Sequence, residues 1–228
     1  GVSLSTYSVR AGLNPLIVMP KNVSLSKLYQ VIMLRGRVKF LNTYVQCIDE
    51  ALRISSRYGY YLSLHSSHTV LDGYKTLAYE VLEDLEWEAP DVIVIPTADG
   101  ALLSMVYYGI LEAKELGLIS DVKTKIIAVQ SAASPAIAME VLGTKIVGVE
   151  ESIAFDLLAT QPLMKDHAVN AIRSTGGTAV VVSDEEILNS MHNLAKYEGL
   201  IVEPESAAGI AGLTKLINNG VIRSDDRV

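Results

Sequence analysis

Short runs of apolar, often β-branched residues alternate along this chain with longer amphipathic segments. Polar or turn residues bound each run, which is typical of strands in the interior of a sheet. Six runs fit this description: residues 16–19, 38–41, 60–64, 91–95, 126–130 and 179–182. Because helices connect successive strands, the pattern predicts an α/β fold with mostly parallel sheets and right-handed crossovers.

Two helices can be predicted from side-chain spacing and capping. Val45, Ile48 and Leu52 recur at helical spacing, which predicts an apolar face in that segment. The run Ser183-Asp184-Glu185-Glu186 has the pattern of a capping box, in which the Ser183 side chain and the Glu186 side chain bond each other's backbone amides. We expect that helix to continue to about Tyr197 and to end at Gly199.

The length of 228 residues suits one large domain or two modest ones. The acidic stretch at residues 83–90, which contains the single tryptophan, is the best candidate for a junction. We therefore expect a small domain over residues 1–85 and a large domain over residues 86–228.

The charge and the apolar runs argue against two classes of partner. The net charge is −7, and no block of lysines and arginines stands out, so nucleic acid is not an expected partner. No apolar run approaches the ~20 residues that a membrane helix requires, so no membrane is expected either. The opening sequence GVSLSTYSVRAGL lacks the order of a signal peptide.

Cysteine and histidine usage gives little indication of a metal or redox site. Cys47 is the single cysteine, which fits a cytoplasmic protein, and we expect it to be a small buried residue on a helix. Of the four histidines, His65 and His68 form the only close pair, without a cysteine or carboxylate cluster at ligand spacing. No metal site is expected.

One segment has the strand–turn–helix form of an anion-binding turn. Residues 91–111 read as an apolar strand, a turn of small residues and a helix, and the free amides at a helix start attract anions. This turn has one glycine, Gly100, and Asp99 adds a negative charge there. From the residues alone, the better interpretation is an ordinary turn, in which the Asp99 carboxylate interacts favourably with the positive end of the helix dipole.

Two other charged residues could face a cleft. Lys75, after Gly73, would need a buried site to form a Schiff base, and a solvated lysine is the commoner outcome. Glu203 precedes a helix rich in alanine and glycine, which predicts close helix–sheet packing. Glu203 itself could face the cleft or form a salt bridge, and the salt bridge is the commoner outcome.

Several segments in order resemble threonine synthase, one of the fold-type II enzymes that depend on pyridoxal 5'-phosphate (PLP) and that include serine/threonine dehydratases and the tryptophan synthase β chain. The stretch ESIAFDLLATQP, followed by AIRSTGGTAVVVSDEEIL, is the most specific part. The other matching segments are YSVRAGL, MPKNVSLSKLYQ, GYKTLAYEV, PDVIVIPT and EGLIVEPESAAGIAGLTKLINNGVI. The resemblance covers almost the full chain.

The resemblance implies a two-lobed α/β fold with PLP in the cleft, a homodimer, and an amino-acid substrate. The family reaction converts O-phospho-L-homoserine to L-threonine and releases phosphate, with PLP as the electron sink. The family's phosphate loop corresponds here to five residues, which are the expected cofactor-binding set: Ala98, Asp99, Gly100, Ala101 and Leu102.

The chain departs from the family pattern at several of these positions. The loop keeps one glycine where the family has several, and Asp99 replaces an asparagine. Ser67 and His68 stand where asparagine and proline are usual. The resemblance places the Schiff-base lysine upstream of residue 1, so we expect no catalytic residue within the chain, and a fold that is incomplete at both ends with exposed apolar surface in its first part.

Two explanations for these departures remain open. The chain is either a fragment of a threonine-synthase-like protein or a diverged relative that has lost PLP. For function, the alternatives to threonine synthase are a serine/threonine dehydratase-like lyase and a non-catalytic binding or oligomerisation module.

Overall fold

The computed structural model describes residues 1–64, 66–148, 151–159 and 161–228. Its contacts divide the chain into two compact units, Gly1–Leu64 and His65–Val228. The expected junction at 85/86 falls inside the second unit, because the helix His68–Asp84 packs along the helix Ala101–Glu115 of that unit.

The first unit is built on a small parallel sheet. Its elements are α1 (Val2–Arg10), β1 (Leu16–Pro20), α2 (Leu25–Met33), β2 (Arg37–Leu41) and α3 (Tyr44–Tyr58). Strands β1 and β2 pair in parallel, from Leu16 opposite Arg37 to Pro20 opposite Leu41. Ile17 and Met19 of β1 pack with Val31 of α2 in a small core. Two of the predicted strands are thereby confirmed.

Helix α3 contacts the sheet through a different face from the predicted one. Thr43 caps its start by accepting the Gln46 N–H, and Gly59 ends it in the left-handed conformation. Cys47 and Ile54 are its buried residues, whereas Val45 and Leu52 are exposed. The predicted helix is confirmed, whereas two of the three residues on its predicted apolar face are exposed. Cys47 is buried as expected, and burial raises the pKa of its thiol.

The predicted strand at residues 60–64 was wrong, because this segment belongs to neither sheet. The Tyr60 carbonyl accepts a hydrogen bond from the Ser55 hydroxyl at 2.7 Å, which folds the segment back onto the end of α3. Tyr61 is 76 % exposed. An alternating apolar pattern forms a strand only where a neighbouring strand lies beside it.

The second unit contains a three-stranded parallel sheet in the order β3–β4–β5. Its strands are β3 (Val92–Pro96), β4 (Lys125–Ser131) and β5 (Ala179–Val182), which confirms the remaining three predictions. Its helices are α4 (His68–Asp84), α5 (Ala101–Glu115), α6 (Ala136–Leu142), α7 (Lys165–Ser174), α8 (Asp184–Asn193) and α9 (Pro204–Asn218). A 3₁₀ turn lies at Phe155–Leu157 and a π-helical turn at Leu194–Glu198.

Helices cover both faces of this sheet. Alternate residues of β4 point to opposite sides, so that Ile126 and Ala128 pack in the core with α5 and α7, whereas Ile127 and Val129 pack with α9. Gly212 of α9 lies so close to β4 that an added Cβ would be 2.4 Å from the Val129 Cγ2 atom. The close helix–sheet packing expected after Glu203 is confirmed.

Helix α8 begins with the predicted capping box. The Ser183 hydroxyl accepts the Glu186 N–H at 3.3 Å, and the Glu186 carboxylate accepts the Ser183 N–H at 2.8 Å. The α-helix ends at Asn193, and the π-helical turn carries the chain to Gly199, whose φ of 68° terminates the segment. The predicted end of the helix is therefore confirmed, with a change of helix type in the last turn.

Candidate functional site

The carboxyl ends of the second unit's strands define the candidate site. Because β3, β4 and β5 are parallel and adjacent, Pro96, Ser131 and Val182 end at one edge of the sheet. Ligands of open parallel sheets bind outside this edge, where the connections to the following helices lie. The expected cofactor loop, residues 98–102, comprises the end of the connection from β3 and the first two residues of α5.

The loop is held by backbone bonds and by Asp99. The Asp99 Oδ1 atom accepts the Ala101 N–H at 3.0 Å, at the start of α5. The Asp99 carbonyl accepts the Met164 N–H at 3.0 Å, which ties the loop to the segment before α7. The first amide of α5 is therefore already bonded to a carboxylate of the same loop.

Gly100 allows a close approach within the protein. It has a φ of 92°, and an added Cβ would lie 2.8 Å from the Ala168 Cβ and 2.9 Å from the Met164 carbonyl oxygen. A side chain at this position would collide with α7 and the residue before it. The glycine is thus explained by internal packing and by its left-handed backbone.

Gln130 supports the loop from the end of β4 and was missed in the sequence analysis. Its side chain is fully buried. The Nε2 atom donates to the carbonyls of Thr97 and Ala98, at 3.3 and 3.4 Å, and the Oε1 atom accepts the amides of Ile137 and Ala138, at 2.9 and 2.8 Å. The only signal in the sequence was a polar residue at the end of an apolar strand.

The segment with the most specific resemblance, residues 151–162, crosses the same edge of the sheet. The Ser134 hydroxyl, which follows β4, donates to the Ala159 carbonyl at 2.8 Å and accepts the Ala159 N–H at 3.1 Å. The Ser152 hydroxyl donates to the Asp184 carboxylate at 2.6 Å, just after β5. Thr160 lies outside the described residues.

A cavity of about 780 Å³ opens beside this segment. Gln161 and the two lysines Lys145 and Lys165 line it, together with residues of α6. The Lys165 ammonium lies 3.6 Å from the Glu140 carboxylate, so part of its charge is neutralised. The recess thus carries two lysines and one glutamate, and it lies beside Ala136 at the start of α6, the helix that follows β4.

Lys75 lies in a second recess, of about 690 Å³, between α4, α5 and the start of α7. Its ammonium pairs with Asp72 at 3.1 Å and with Glu112 at 3.3 Å, and these carboxylates raise its pKa. A lysine that forms a Schiff base requires the opposite shift of its pKa. Lys75 is therefore an ion-paired residue and not a Schiff-base lysine, and its side chain, 24 % exposed, is less solvated than the sequence predicted.

The other residues considered from the sequence lie away from the loop or are not arranged to bind a ligand. His68, at the start of α4, lines the same recess as Lys75, and His65 lies outside the described residues. Glu203 is exposed at the start of α9. Over the described ranges, no three histidine, cysteine, aspartate or glutamate side chains gather as a metal would require. No helix there is long and apolar enough to cross a membrane.

Comparison with known protein families gives a match over residues 1–228 to the family described as pyridoxal-phosphate dependent enzyme. The chain belongs to this family. Among its relatives are the threonine synthases of Methanocaldococcus jannaschii, 32 % identical over 99 % of the chain, and of Methanosarcina acetivorans, 34 % identical over 99 % of the chain. The chain spans 57 % of the length of each. The resemblance to threonine synthase is confirmed.

Solved structures with the same fold include a serine racemase and a threonine deaminase. Maize serine racemase has a TM-score of 0.75 and 22 % identity, with 92 % of this chain and 62 % of that one covered. Threonine deaminase isoform 2 of Solanum lycopersicum has a TM-score of 0.78 and 20 % identity, with 98 % and 63 % covered. At this identity the likeness concerns the fold alone, and it confirms the predicted fold-type II architecture.

The loop at 98–102 does not fit the phosphate of the family's cofactor. Asp99 places a negative charge at the start of α5 and already accepts the Ala101 N–H that a phosphate oxygen would use. The negative charge of Asp99 also acts on Tyr74, whose phenol pKa is raised by burial and by this carboxylate. The Asp99 carboxylate would repel a phosphate dianion at the loop, and the dianion would find one hydrogen-bond donor fewer there.

Proposed function

We propose that this chain is part of a protein of the threonine synthase type, and that these 228 residues do not catalyse the reaction by themselves. The reaction of that type converts O-phospho-L-homoserine to L-threonine and releases phosphate. The observation that carries the proposal is the identity of 32–34 % with threonine synthases over 99 % of the chain. The absence of catalysis follows from the poor fit between the loop and the phosphate of PLP.

The substrate would bind at the carboxyl edge of the β3–β4–β5 sheet. In this proposal the loop from Ala98 to Leu102 is the wall that faces the cofactor position. The recess lined by Lys145 and Lys165 takes the negatively charged end of the substrate, because two ammonium groups there attract a phosphate ester. Ser134 and Gln130 hold the surrounding backbone.

Calorimetric titration of the chain with O-phospho-L-homoserine tests this site. We expect binding that weakens by about fivefold in Lys145→Gln and in Lys165→Gln, since each removes one cation near a phosphate. Lys123→Gln is the matched control, because Lys123 is 85 % exposed and lies outside the recess. Absence of binding, or equal loss in the control, contradicts the proposed site.

A turnover assay tests the second part of the proposal. The chain is incubated with PLP and O-phospho-L-homoserine, and threonine and inorganic phosphate are measured. We expect neither product above a protein-free control, and formation of both would show that the chain is catalytic. L-serine and L-threonine serve as parallel substrates, because release of ammonia from them would identify a dehydratase. The threonine deaminase and serine racemase structures share only the fold, so they do not favour that alternative.

We propose further that the protein is a cytoplasmic homodimer, as the resemblance implies. Exposed apolar side chains in the first unit support an interface, among them Tyr7 at 74 %, Leu25 at 64 % and Met33 at 82 % exposure. Light scattering after size exclusion gives the mass directly. A monomer at micromolar concentration would contradict the dimer for this chain.

A further inference from the structure

We infer that Asp99 acts as a built-in anion at the start of α5 and closes the loop at residues 98–102 to phosphate, so that a ligand at the loop must carry no phosphate there. The inference rests on the proposed position of the loop in the site. It names Asp99 as a specificity-determining residue, where the family resemblance alone would name a cofactor ligand.

The loop makes a hydrogen bond to itself at the start of α5. A helix start binds anions because its first amides have no acceptor within the helix. Here the Asp99 Oδ1 atom accepts the Ala101 N–H at 3.0 Å, so a carboxylate oxygen already occupies the direction from which a phosphate oxygen would approach. An external phosphate would have to displace this oxygen and remain beside its charge.

Contacts within the second unit hold the loop that carries the Asp99 carboxylate. The Asp99 carbonyl is bonded to the Met164 N–H at 3.0 Å. Gly100 fits against Ala168 with no room for a Cβ atom. Gln130 holds the carbonyls of Thr97 and Ala98 just before it. The backbone on both sides of the Asp99 side chain is therefore fixed by contacts within the second unit.

The Asp99 carboxylate also acts on its surroundings through its charge. Burial and this carboxylate together raise the pKa of the nearby Tyr74 phenol. Repulsion between a unit charge and a dianion at contact distance weakens binding by at least about fivefold even in a water-like dielectric. Desolvation at the loop increases the effect.

The test compares PLP with pyridoxal, which lacks the phosphate, on the purified chain and on Asp99→Asn. Asparagine keeps an oxygen that can accept the Ala101 N–H, so the helix cap is preserved while the charge is removed. We expect Asp99→Asn to bind PLP at least about fivefold more tightly than the original chain, with pyridoxal affinity unchanged. Asp225→Asn, on an exposed aspartate with a side chain 74 % exposed, makes the same change of net charge and should alter neither affinity.

Thermal unfolding confirms that each variant is folded, and Asp99→Ser provides a second uncharged residue able to cap the helix. Equal PLP affinity in the original chain and both uncharged variants would overturn the inference. An equal gain of affinity for pyridoxal in Asp99→Asn would also overturn the inference. So would an equal gain of PLP affinity in Asp225→Asn. These titrations do not involve O-phospho-L-homoserine, so a PLP gain in Asp99→Asn without substrate binding would sustain the inference and reject the proposed function.

Discussion

At the scale of single residues, Gln130 organises the candidate site although it need not contact a ligand. One buried amide joins three parts of the second unit: the end of β4, the loop after β3 and the start of α6. A buried amide is tolerated in a sheet only when its donors and acceptors are satisfied, and here both ends are. The position of Asp99 therefore depends on a residue that follows it by about thirty positions.

Replacing Gln130 with leucine should destabilise the second unit by roughly 2–4 kcal/mol, because buried amides and carbonyls lose their partners. Urea unfolding followed by the fluorescence of Trp87, which packs against the core of this unit, measures the change. Gln30→Leu, at an exposed position in the first unit, is the control and should change stability by less than about 0.5 kcal/mol. A loss in Gln130→Leu as small as in the control would contradict the role assigned to Gln130.

At the scale of elements, the sequence predicted correctly those features whose hydrogen bonds join residues close together in the chain. The capping box of α8 involves residues three positions apart, so the sequence contains both partners. Burial raises the pKa of Glu186, but the Ser183 N–H and the Lys215 ammonium outweigh it, and the pKa lies below its ordinary value. By contrast, the burial of α3 and the structure of the segment at 60–64 depend on what lies beside them. The predicted strand at 60–64 was wrong, and Val45 and Leu52 of the predicted apolar face of α3 are exposed.

Ser183→Ala should cost about 1 kcal/mol of stability, because the Glu186 N–H loses its acceptor at the start of α8. Ser174→Ala makes the same substitution at an exposed position in the last turn of α7 and should have an effect within about 0.5 kcal/mol of zero. Both are compared by urea unfolding with the Trp87 signal. An equal cost in the two variants would show that the cap contributes nothing specific.

At the scale of the whole second unit, some glycines lie where a helix packs closely against the sheet and others do not. Gly212 lets α9 reach β4, where an added Cβ would meet the Val129 side chain. Gly73 lies inside α4, where an added Cβ would have nothing within 4 Å. In the sequence both read as glycines in amphipathic helices, and only the packing distinguishes them.

Gly212→Ala should therefore destabilise the unit by about 1–3 kcal/mol through overpacking. Gly73→Ala should stabilise it by about 0.5–1 kcal/mol, because alanine lowers the entropy of the unfolded chain and fits the helix. The two variants are matched in chemistry, so opposite shifts of the urea midpoint test the packing of α9 directly. Shifts of the same sign would contradict it.

The sequence by itself determined the parallel α/β class, five of the six predicted strands, the cap of α8 and the resemblance to threonine synthase. These follow from hydrophobic period, from capping residues a few positions apart and from ordered motifs. Through that resemblance it also pointed to residues 98–102 and to the carboxylate of Asp99, whose bond to the Ala101 N–H spans only two positions. Only the tertiary structure decided that Gln130 fixes this loop and which face of α3 is buried. These two outcomes depend on contacts between residues distant in the chain, and local patterns carry no information about them.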